Sequence, residues 1–417
     1  MTVTDWTFVN ADGQSVDVPD VSITYPGVYI EEIPAAVRKI GGVPTSTTAF
    51  VGGTVRGRTD RPPRLVTSFL EFERLFGGLS AKYPLTYAVR SFFDNGGRRA
   101  VICRVRGARR GEAPTDDDIS DPSLEAHRRG LWRLDRVNEP IGLITIPPLG
   151  PDQDVARRTW DAAARWAKRK RAMLIVDPPS TWQRAADVTP AAVEAVITDT
   201  DDLANAVLYV PRIVVADPLA GRPIPIAAGG AICGIHARTD LNRGVWRAAA
   251  GAEGRFRDAT GLTLQLTRTD SELLNRRGIN TLRTFVGQGH VVWGTRTLRG
   301  ADSLASEWKY VPVRRLALFI EESIDRGTQW AVFEPSDEPL WAELRRHIGN
   351  FLHTLFSQGA FQGRAPDEGF FVRCDASTMT QADIDSGRVI VLVGFAPARP
   401  AEFVILRIAI AAKSPGA

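Results

Sequence analysis

The sequence has 417 residues, of which 44% are hydrophobic and 24% are charged, and this composition is typical of a globular protein with two or three domains. The net charge is +4, and no apolar run reaches the roughly 20 residues of a membrane-spanning helix. The first 20 residues contain no basic residue and no apolar run, so no secretory signal is expected.

The basic residues are mostly arginine, since lysine occurs only six times. The cluster "RRTWDAAARWAKRKR" (157–171) raises the possibility of nucleic-acid binding, but few aromatic residues alternate with its charges. We therefore interpret it as the solvated face of a helix. The three cysteines, Cys103, Cys233 and Cys374, lie far apart in apolar segments, which predicts buried free thiols and a reducing compartment during folding.

The first 57 residues predict an extended arm followed by two strands. Residues 1–20 are polar and have no helical period. "YPGVYIEEIP" (25–34) alternates like a strand, and "TSTTAFVGGTVRG" (45–57) is rich in β-branched residues and is closed by glycines.

Two helices and a strand are predicted between residues 67 and 105. Thr67 or Ser68 can cap the first helix, with Glu71 at capping-box spacing from Ser68. The second helix begins at a proline and ends at a glycine pair in "PLTYAVRSFFDNGG" (84–97), and "RRAVICRV" (98–105) follows as a strand. The acidic stretch "GEAPTDDDISDPS" (111–123) predicts a loop at a module boundary.

Strands and helices alternate from about residue 130 to residue 240. Strands are predicted at 141–148, 172–179 and 207–218, and helices at 152–170, from Thr189 onward, and at 227–240. This alternation predicts a mainly parallel sheet covered by helices. Residues 260–417 mix helices and strands and end in two adjacent apolar strands.

No catalytic or metal-binding motif accompanies the α/β pattern. None of the five histidines lies in an H-E-x-x-H motif, no cysteine pair has zinc-ligand spacing, and neither a P-loop nor a G-x-S-x-G motif is present. The glycines of "VGQGHVVWG" (286–294) precede a strand, which argues against a phosphate-binding loop. Asp177 follows a presumed parallel strand, and we interpret it as a helix-capping or turn residue. We expect no cofactor and no metal.

Several motifs in a fixed order resemble the contractile tail sheath proteins. Residues 25–57 resemble the N-terminal signature of that family, and Leu241 to Ile410 resembles its C-terminal domain nearly throughout. The matching runs are "LNRGVWRAAAG" (241–251), "LLNRRGINTLRTFVGQGHVVWGTRTL" (273–298), "EWKYVPVRRLALFIEESIDRGTQWAVFEPSDEPLW" (307–341) and "GFFVRCDASTMTQADIDSGRVIVLVGFAPARPAEFVILRI" (369–408). At "RAAAG" the family often has a proline-containing run, which affects only a local turn.

The resemblance implies an α/β and α+β fold: a central, mainly parallel α/β layer inserted into a C-terminal α+β domain, with extended arms at both ends. It divides the chain into an N-terminal arm (1–21), the first strands of the core domain (22–57), an outer subtilisin-like region (58–240), the C-terminal core domain (241–398) and a C-terminal arm (399–417).

The family also implies a mechanical function without catalysis. Its subunits polymerise as stacked six-membered rings around an inner tube, and the sheath contracts to drive the tube through a target envelope. The implied partners are other copies of the chain, the inner tube protein, and baseplate and terminal cap proteins. The implied setting is assembly in the bacterial cytoplasm, as part of a phage tail or of a phage tail-like particle released from the cell. Neither nucleic-acid binding nor membrane insertion is implied.

The C-terminal strand is the implied link between subunits. "RPAEFVILRIAIAAK" (399–413) is apolar on both faces, so it requires burial on both sides. The resemblance implies that it is donated to a neighbouring subunit as an added strand. An intramolecular hairpin with residues 388–396 is the alternative. The linking residues are Phe403, Val404, Ile405, Leu406, Arg407, Ile408 and Ile410, and the acceptor strand contains Val389, Ile390, Val391, Leu392 and Val393.

The helix predicted at 338–359 has one apolar face. By resemblance this part of a sheath subunit lines the inner surface, so Arg345 and Arg346 are candidates for the tube-facing side, with an exposed outer face as the alternative. Two other functions compete with the sheath interpretation, a hydrolase that uses the α/β layer and an arginine-rich nucleic-acid-binding protein. The sequence offers no triad for the first, and steep salt dependence of DNA binding would be the mark of the second.

Overall fold

The computed structural model describes residues 39–398, apart from 110 and 199, together with three strands nearer the termini. Two compact units are present, Met1–Arg38 and Lys39–Ala417. In the first unit, β1 (Phe8–Val9) and β2 (Ser15–Val16) form an antiparallel pair. The strand predicted over 25–34 and most of the arm predicted over 1–21 lie outside the described residues.

The second unit contains fourteen described strands. They are β3 (Thr48–Gly52), β4 (Arg64–Val66), β5 (Ala100–Arg104), β6 (Leu143–Thr145), β7 (Met173–Val176), β8 (Ala206–Val210), β9 (Ile213–Asp217), β10 (Arg222–Ile226), β11 (Ala259–Leu262), β12 (Asn280–Phe285), β13 (Gly289–Trp293), β14 (Phe370–Arg373), β15 (Arg388–Phe395) and β16 (Val404–Ala411).

Twelve α-helices and five short 3-10 helices accompany these strands in the described part of the chain. The α-helices are α1 (Phe69–Phe76), α2 (Leu85–Asp94), α3 (Asp116–Ser120), α4 (Ser123–Ala126), α5 (Arg157–Arg169), α6 (Pro190–Val196), α7 (Gly229–Arg243), α8 (Arg268–Arg276), α9 (Val311–Gly327), α10 (Glu338–Ser357), α11 (Pro366–Gly369) and α12 (Gln381–Asp385). The 3-10 helices are Gly130–Arg136, Ala185–Asp187, Asp201–Asn205, Asp302–Leu304 and Gln329–Phe333.

The central layer is an eight-stranded sheet with the order β13-β12-β8-β7-β6-β3-β5-β4. The six inner strands run parallel to one another, and the two edge strands, β4 and β13, pair antiparallel to β5 and β12. On β3, Ala49 and Val51 pack in a cluster with α5, whereas Phe50 packs in a second cluster with α1, α2 and α7. Both faces of the sheet are therefore buried, as parallel sheets require.

Two three-stranded antiparallel sheets complete the fold, in the orders β10-β9-β11 and β14-β15-β16. The C-terminal sheet packs with α9 and α10 around a third core cluster. The mainly parallel layer followed by an antiparallel layer confirms the fold class expected from the sequence.

The local signals in the sequence place α1, α6 and α10 correctly. Ser68 accepts a hydrogen bond from the backbone N–H of Glu71 and so caps α1, while the Glu71 carboxylate accepts from the backbone N–H of Thr67. Thr189 caps α6 in the same way, directly before Pro190. The predicted helix at 338–359 is α10, and its apolar face is buried.

The domain division predicted from the sequence is wrong in two places. Residues 22–57 are predicted to belong to the C-terminal core, but β3 lies inside the central sheet, hydrogen-bonded to β5 and β6. The boundary expected at residue 240 also fails, because β12 and β13 complete the same sheet. Both errors have one cause: a strand pattern predicts a strand, but it does not specify which distant strand it pairs with.

The acidic stretch 111–123 is not simply a loop. Thr115 caps α3, and the Asp118 carboxylate accepts from the backbone N–H of Thr115, which completes a capping box. Asp116 is buried and accepts hydrogen bonds from Thr159 Oγ1 and the backbone N–H of Ala156 at the start of α5. The stretch therefore joins the body of the molecule and marks no module boundary.

A buried ion pair joins the central layer to the C-terminal layer. Arg315 on α9 donates to both carboxylate oxygens of Asp240 on α7, at 2.8 and 2.6 Å. Its Nη1 also lies 3.2 Å from Nδ1 of His236, and its Nη2 donates to the carbonyl of Thr45, which precedes β3. Because arginine can only donate, Nδ1 of His236 is unprotonated and its Nε2 carries the proton, facing Tyr209 Oη at 3.3 Å. Burial, and then the Arg315 charge, lower the pKa of His236.

Asp177 connects the carboxyl end of β7 to the start of α7. Its Oδ1 accepts a 2.8 Å hydrogen bond from the backbone N–H of Gly229, the first residue of that helix, which confirms the capping interpretation. A Cβ at Gly229 would lie 2.6 Å from Thr145 Oγ1 and 2.8 Å from Asp177 Oδ2, so only glycine allows this approach. Burial raises the pKa of Asp177 to about 7.

The ion pair between Arg315 and Asp240 makes a testable contribution to stability. Arg315→Met should lower the free energy of unfolding by about 3–5 kcal/mol, because it leaves a buried carboxylate without its cation. Asp240→Leu added to that variant should restore much of the loss. Urea unfolding measures both effects. The exposed pair of Arg58 and Asp60 supplies the control, and Arg58→Met should change the free energy of unfolding very little, because solvent screens this pair. An Arg315→Met variant as stable as the control variant would contradict the prediction.

The raised pKa of Asp177 predicts a pH-dependent stability. In the folded chain the carboxyl keeps its proton up to about pH 7, whereas the unfolded chain loses it near pH 4. The protonated group therefore stabilises the fold at low pH, and this stability is lost as the pH rises through 7. Relative to Asp177→Asn, the wild type should lose roughly 1 kcal/mol per pH unit between pH 4 and 7.

Urea unfolding of both proteins at several pH values measures this difference. His236 contributes the opposite slope below about pH 6.5, but it does so in both proteins and cancels. Glu194→Gln, on the exposed side of α6, is the control and should run parallel to the wild type. Parallel curves for the wild type and Asp177→Asn would refute the prediction.

Candidate assembly surfaces

The cysteine thiols are buried in the described part of the chain. Cys103, Cys233 and Cys374 are free and buried, as predicted, and burial raises the thiol pKa of Cys103 and of Cys374 to about 12. These thiols are therefore protonated at neutral pH. Among the described residues no group of histidine, cysteine and carboxylate side chains could hold a metal ion. No described helix has the length and apolar character needed to cross a membrane.

The basic cluster at 157–171 is largely neutralised by carboxylates. Five of its cations form ion pairs with acidic residues from other segments: Arg158 with Asp117 at 2.7 Å, Lys168 with Asp202 at 2.9 Å, Arg169 with Glu125 at 2.8 Å, Lys170 with Asp135 at 3.2 Å and Arg171 with Glu322 at 2.9 Å. Few charges are left to contact phosphates, so the solvated helix face is the better interpretation.

The structure brings the predicted arm and the predicted acceptor strand together within one chain. β15 and β16 pair antiparallel along their full length, with Val389 opposite Ile410, Val391 opposite Ile408 and Val393 opposite Leu406. This is the intramolecular hairpin predicted as the alternative to donation. The side chains of Val404–Ala411 and the whole of Phe403 lie outside the described residues.

β15 has the burial expected of an acceptor strand. Val389, Val391 and Val393 are completely buried, and Ile390 is nearly so. β15 is central in its sheet, whereas β16 is an edge strand whose outer backbone groups have no strand partner in the described part of the chain. An edge of this kind can pair with a strand from another chain.

The two candidate tube-facing arginines differ in their surroundings on α10. Arg345 is half-buried, donates to the carbonyl of Cys374, and donates to Glu338 Oε1 at 2.6 Å. Arg346 is 63% exposed and lies 3.8 Å from Glu343 Oε1. Arg345 therefore holds the C-terminal layer together, while Arg346 points to the solvent side of the helix and can meet another molecule.

A protruding hairpin was not identified as a surface from the sequence. The glycine-containing segment 286–294 contains the turn between β12 and β13, and then β13 itself. Gly287 and Gly289 adopt positive φ angles in this segment. Val286 at its tip is fully exposed, and the Phe285 ring lies 4.7 Å from the partly exposed Trp293 ring. Such an apolar tip is a candidate contact surface. The apolar residues that flank the glycines were the available signal.

Two family models match the chain. The phage tail sheath protein central domain matches residues 143–298, and the phage tail sheath C-terminal domain matches residues 304–411. The junction between the two models falls between β13 and α9. This agrees with the central sheet, which ends with β13.

Individual proteins resemble the chain over different lengths. The tail sheath protein of Vibrio phage KVP40 is 28% identical over 186 residues, which are 44% of this chain and 26% of the phage protein. The chain therefore spans about a quarter of the length of that curated relative.

Solved structures match over nearly the whole chain. A chain of the six-fold symmetrised anti-feeding prophage baseplate is 29% identical, with a TM-score of 0.68, and the match covers 92% of this chain and 98% of that one. A chain of the sheath complex of the extracellular contractile injection system PVC, in its contracted state, is 27% identical, with a TM-score of 0.71 and coverage of 93% and 98%. With both family models matched in order along the sequence, the chain belongs to the phage tail sheath family.

Proposed function

We propose that the chain is the structural subunit of a contractile sheath that assembles as stacked six-membered rings around an inner tube. The observation that carries the proposal is the match, over 93% of the chain, to a sheath complex in its contracted state. Contraction drives the tube through a target envelope. The work comes from contacts between subunits that change on contraction, and it needs neither a nucleotide nor a catalytic centre.

The partners in this proposal are other copies of the chain, the inner tube protein, and baseplate and terminal cap proteins. The C-terminal layer lies toward the tube and the central α/β layer lies outside it. The subunit assembles in the bacterial cytoplasm and functions in a phage tail or in a particle released from the cell. Neighbouring genes distinguish the two, since capsid and terminase genes accompany a phage, and effector and ATPase genes accompany an injection system.

Electron microscopy of the purified chain tests the proposal directly. Striated hollow cylinders of uniform width are expected, either from the chain alone or after addition of the tube protein. Chains that remain monomeric or form only amorphous aggregates under both conditions would overturn it.

In the assembled sheath, β16 links neighbouring subunits by strand exchange. The pairing of β15 with β16 inside one chain defines the register, and the same register can form with β16 from a second copy. Pro397 and Pro400 interrupt the segment between the two strands, which suits a hinge. Each backbone hydrogen bond in the pairing contributes about 0.5–1.5 kcal/mol, so eight paired residues form a substantial link.

Proline substitutions in β16 test the exchange. Neighbouring residues of an antiparallel strand direct their N–H groups to opposite sides, so Leu406→Pro and Arg407→Pro remove donors from opposite edges of β16. If β16 bridges two strands in the sheath, both substitutions should abolish cylinder formation, whereas Leu406→Val should be mild. Sedimentation and negative-stain microscopy measure the outcome.

Deletion of residues 401–417 separates exchange from a purely internal hairpin. Exchange predicts a folded, cooperatively melting monomer that does not assemble. An internal hairpin alone predicts a deletion variant that loses its cooperative thermal transition. A deletion variant that still forms full-length cylinders would refute the linking function of β16.

Arg345 and Arg346 are proposed to face the tube channel. Arg346→Glu should weaken cosedimentation of the sheath with the tube and leave monomer stability unchanged, because the side chain is exposed. Arg345→Glu should also lower stability, since it removes the bond to the Cys374 carbonyl. Arg165→Glu, on the exposed face of α5, is the control. Wild-type amounts of tube recovered with the Arg346→Glu sheath would count against the assignment.

A further inference from the structure

A cleft in the central layer is lined by arginines that are not used by the assembly surfaces. It lies between the segment that follows β5, the helices α3 and α4, and the 3-10 helix Gly130–Arg136, and it has a volume of about 750 Å³. Ligand pockets in proteins are typically about 300–1,000 Å³. Six guanidinium groups line it: Arg104, Arg106, Arg128, Arg129, Arg133 and Arg136.

None of these six arginines forms an ion pair with a carboxylate in the described part of the chain, although ion pairs are abundant elsewhere on the surface. Four aspartates also line the cleft, but each is engaged outside it or within its own turn. Asp60 pairs with Arg58 and Asp117 with Arg158, while Asp118 and Asp121 accept backbone N–H groups of Thr115 and Ser123. Asp60 and Asp117 are thus balanced by arginines that do not line the cleft, and the charges of Asp118 and Asp121 offset only part of the six positive charges, so the cleft keeps a net positive charge.

The positively charged side chain of Arg133 is buried in the fold. It is only 5% exposed, and its Nη groups donate to the backbone carbonyls of Arg104 and Arg61, while its Nε has no partner. A buried cation without a counter-ion is unfavourable unless an anion comes close to it. The pKa of the Arg104 guanidinium is lowered, first by burial and then by the charges of Arg106 and Arg133. An anion in the cleft would relieve this repulsion.

We propose that this arginine cleft binds a multiply charged phosphate anion. The guanidinium group offers two parallel N–H donors that match the oxygens of a phosphate, and several such groups around one space favour an anion with more than one charged oxygen. Arg106, Arg128 and Arg129 are exposed, so they can reach a ligand that enters from solvent. The buried Arg133 supplies a fixed charge behind them. The site is independent of the assembly surfaces and of the proposed sheath function.

Titration calorimetry with inorganic tripolyphosphate at low ionic strength tests the site on the purified full-length chain. Saturable binding of one tripolyphosphate per chain is expected, and it should weaken as salt is added. Arg106→Gln with Arg129→Gln should raise the Kd at least about tenfold, because two charge-assisted contacts are lost. The side chains of Arg106 and Arg129 make no described hydrogen bond or ion pair, so the fold should be unaffected, which thermal unfolding without ligand checks.

Matched controls make the result specific. Arg165→Gln with Arg247→Gln removes the same charge from exposed positions outside the cleft and should change the Kd by less than about twofold. A Kd raised equally by both double variants would overturn the site. Citrate, a tricarboxylate, should bind more weakly, and equal affinity would overturn the preference for phosphate.

A final comparison distinguishes the source of the phosphate. Vesicles that contain phosphatidic acid, added in place of tripolyphosphate, should bind only if the cleft accepts a lipid headgroup. Binding to tripolyphosphate alone assigns the site to a free phosphate compound, and binding to both assigns it to phosphate groups generally. Binding to neither would refute the proposal, and it would leave cylinder formation as a separate question.

Discussion

The buried ion pair between Arg315 and Asp240 is a central constraint on how the two layers of the fold meet. It joins α9, in the C-terminal layer, to α7, beneath the central sheet, and Thr45 completes it with a 2.7 Å hydrogen bond to Asp240 just before β3. Three distant parts of the chain therefore meet at one desolvated charge pair. Its geometry has to be nearly ideal, because only then does the attraction between the charges offset the free-energy cost of removing them from water. We infer that the two layers move as one body.

The parts of this fold that the sequence predicts well are those that neighbouring residues determine. Ser68 and Thr189 cap helices because a hydroxyl three residues before a backbone N–H can satisfy it wherever the helix lies in the fold. The apolar face of α10 likewise follows from its period. None of these features requires knowledge of a distant partner.

The sequence-based predictions fail where the position of a segment depends on a partner that is distant in the sequence. β3 has the composition of a strand. Its place between β5 and β6 depends on parallel pairing with two strands that each begin more than 40 residues later in the sequence. The arginine cleft could not be predicted from the sequence either, because its charges come from segments that are separate in the sequence. The continuous basic cluster at 157–171 was easier to identify. That visible cluster proved to be paired with carboxylates, while the cleft is not. Charge pairing is thus a property of the fold, and composition does not reveal it.

The edges of the three sheets in Lys39–Ala417 differ in a way that bears on assembly. β4 has only three residues, and β10 carries Pro223 and Pro225, which remove donors from its edge. β16 has eight residues, is apolar apart from Arg407, and contains no proline, so it is the longest edge strand in the described part of the chain. A long, unprotected edge is a liability in a monomer, because it invites pairing with other chains. In a protein that must polymerise, the same edge is the surface through which one chain can hold the next, whether β16 remains in its own sheet or exchanges into another.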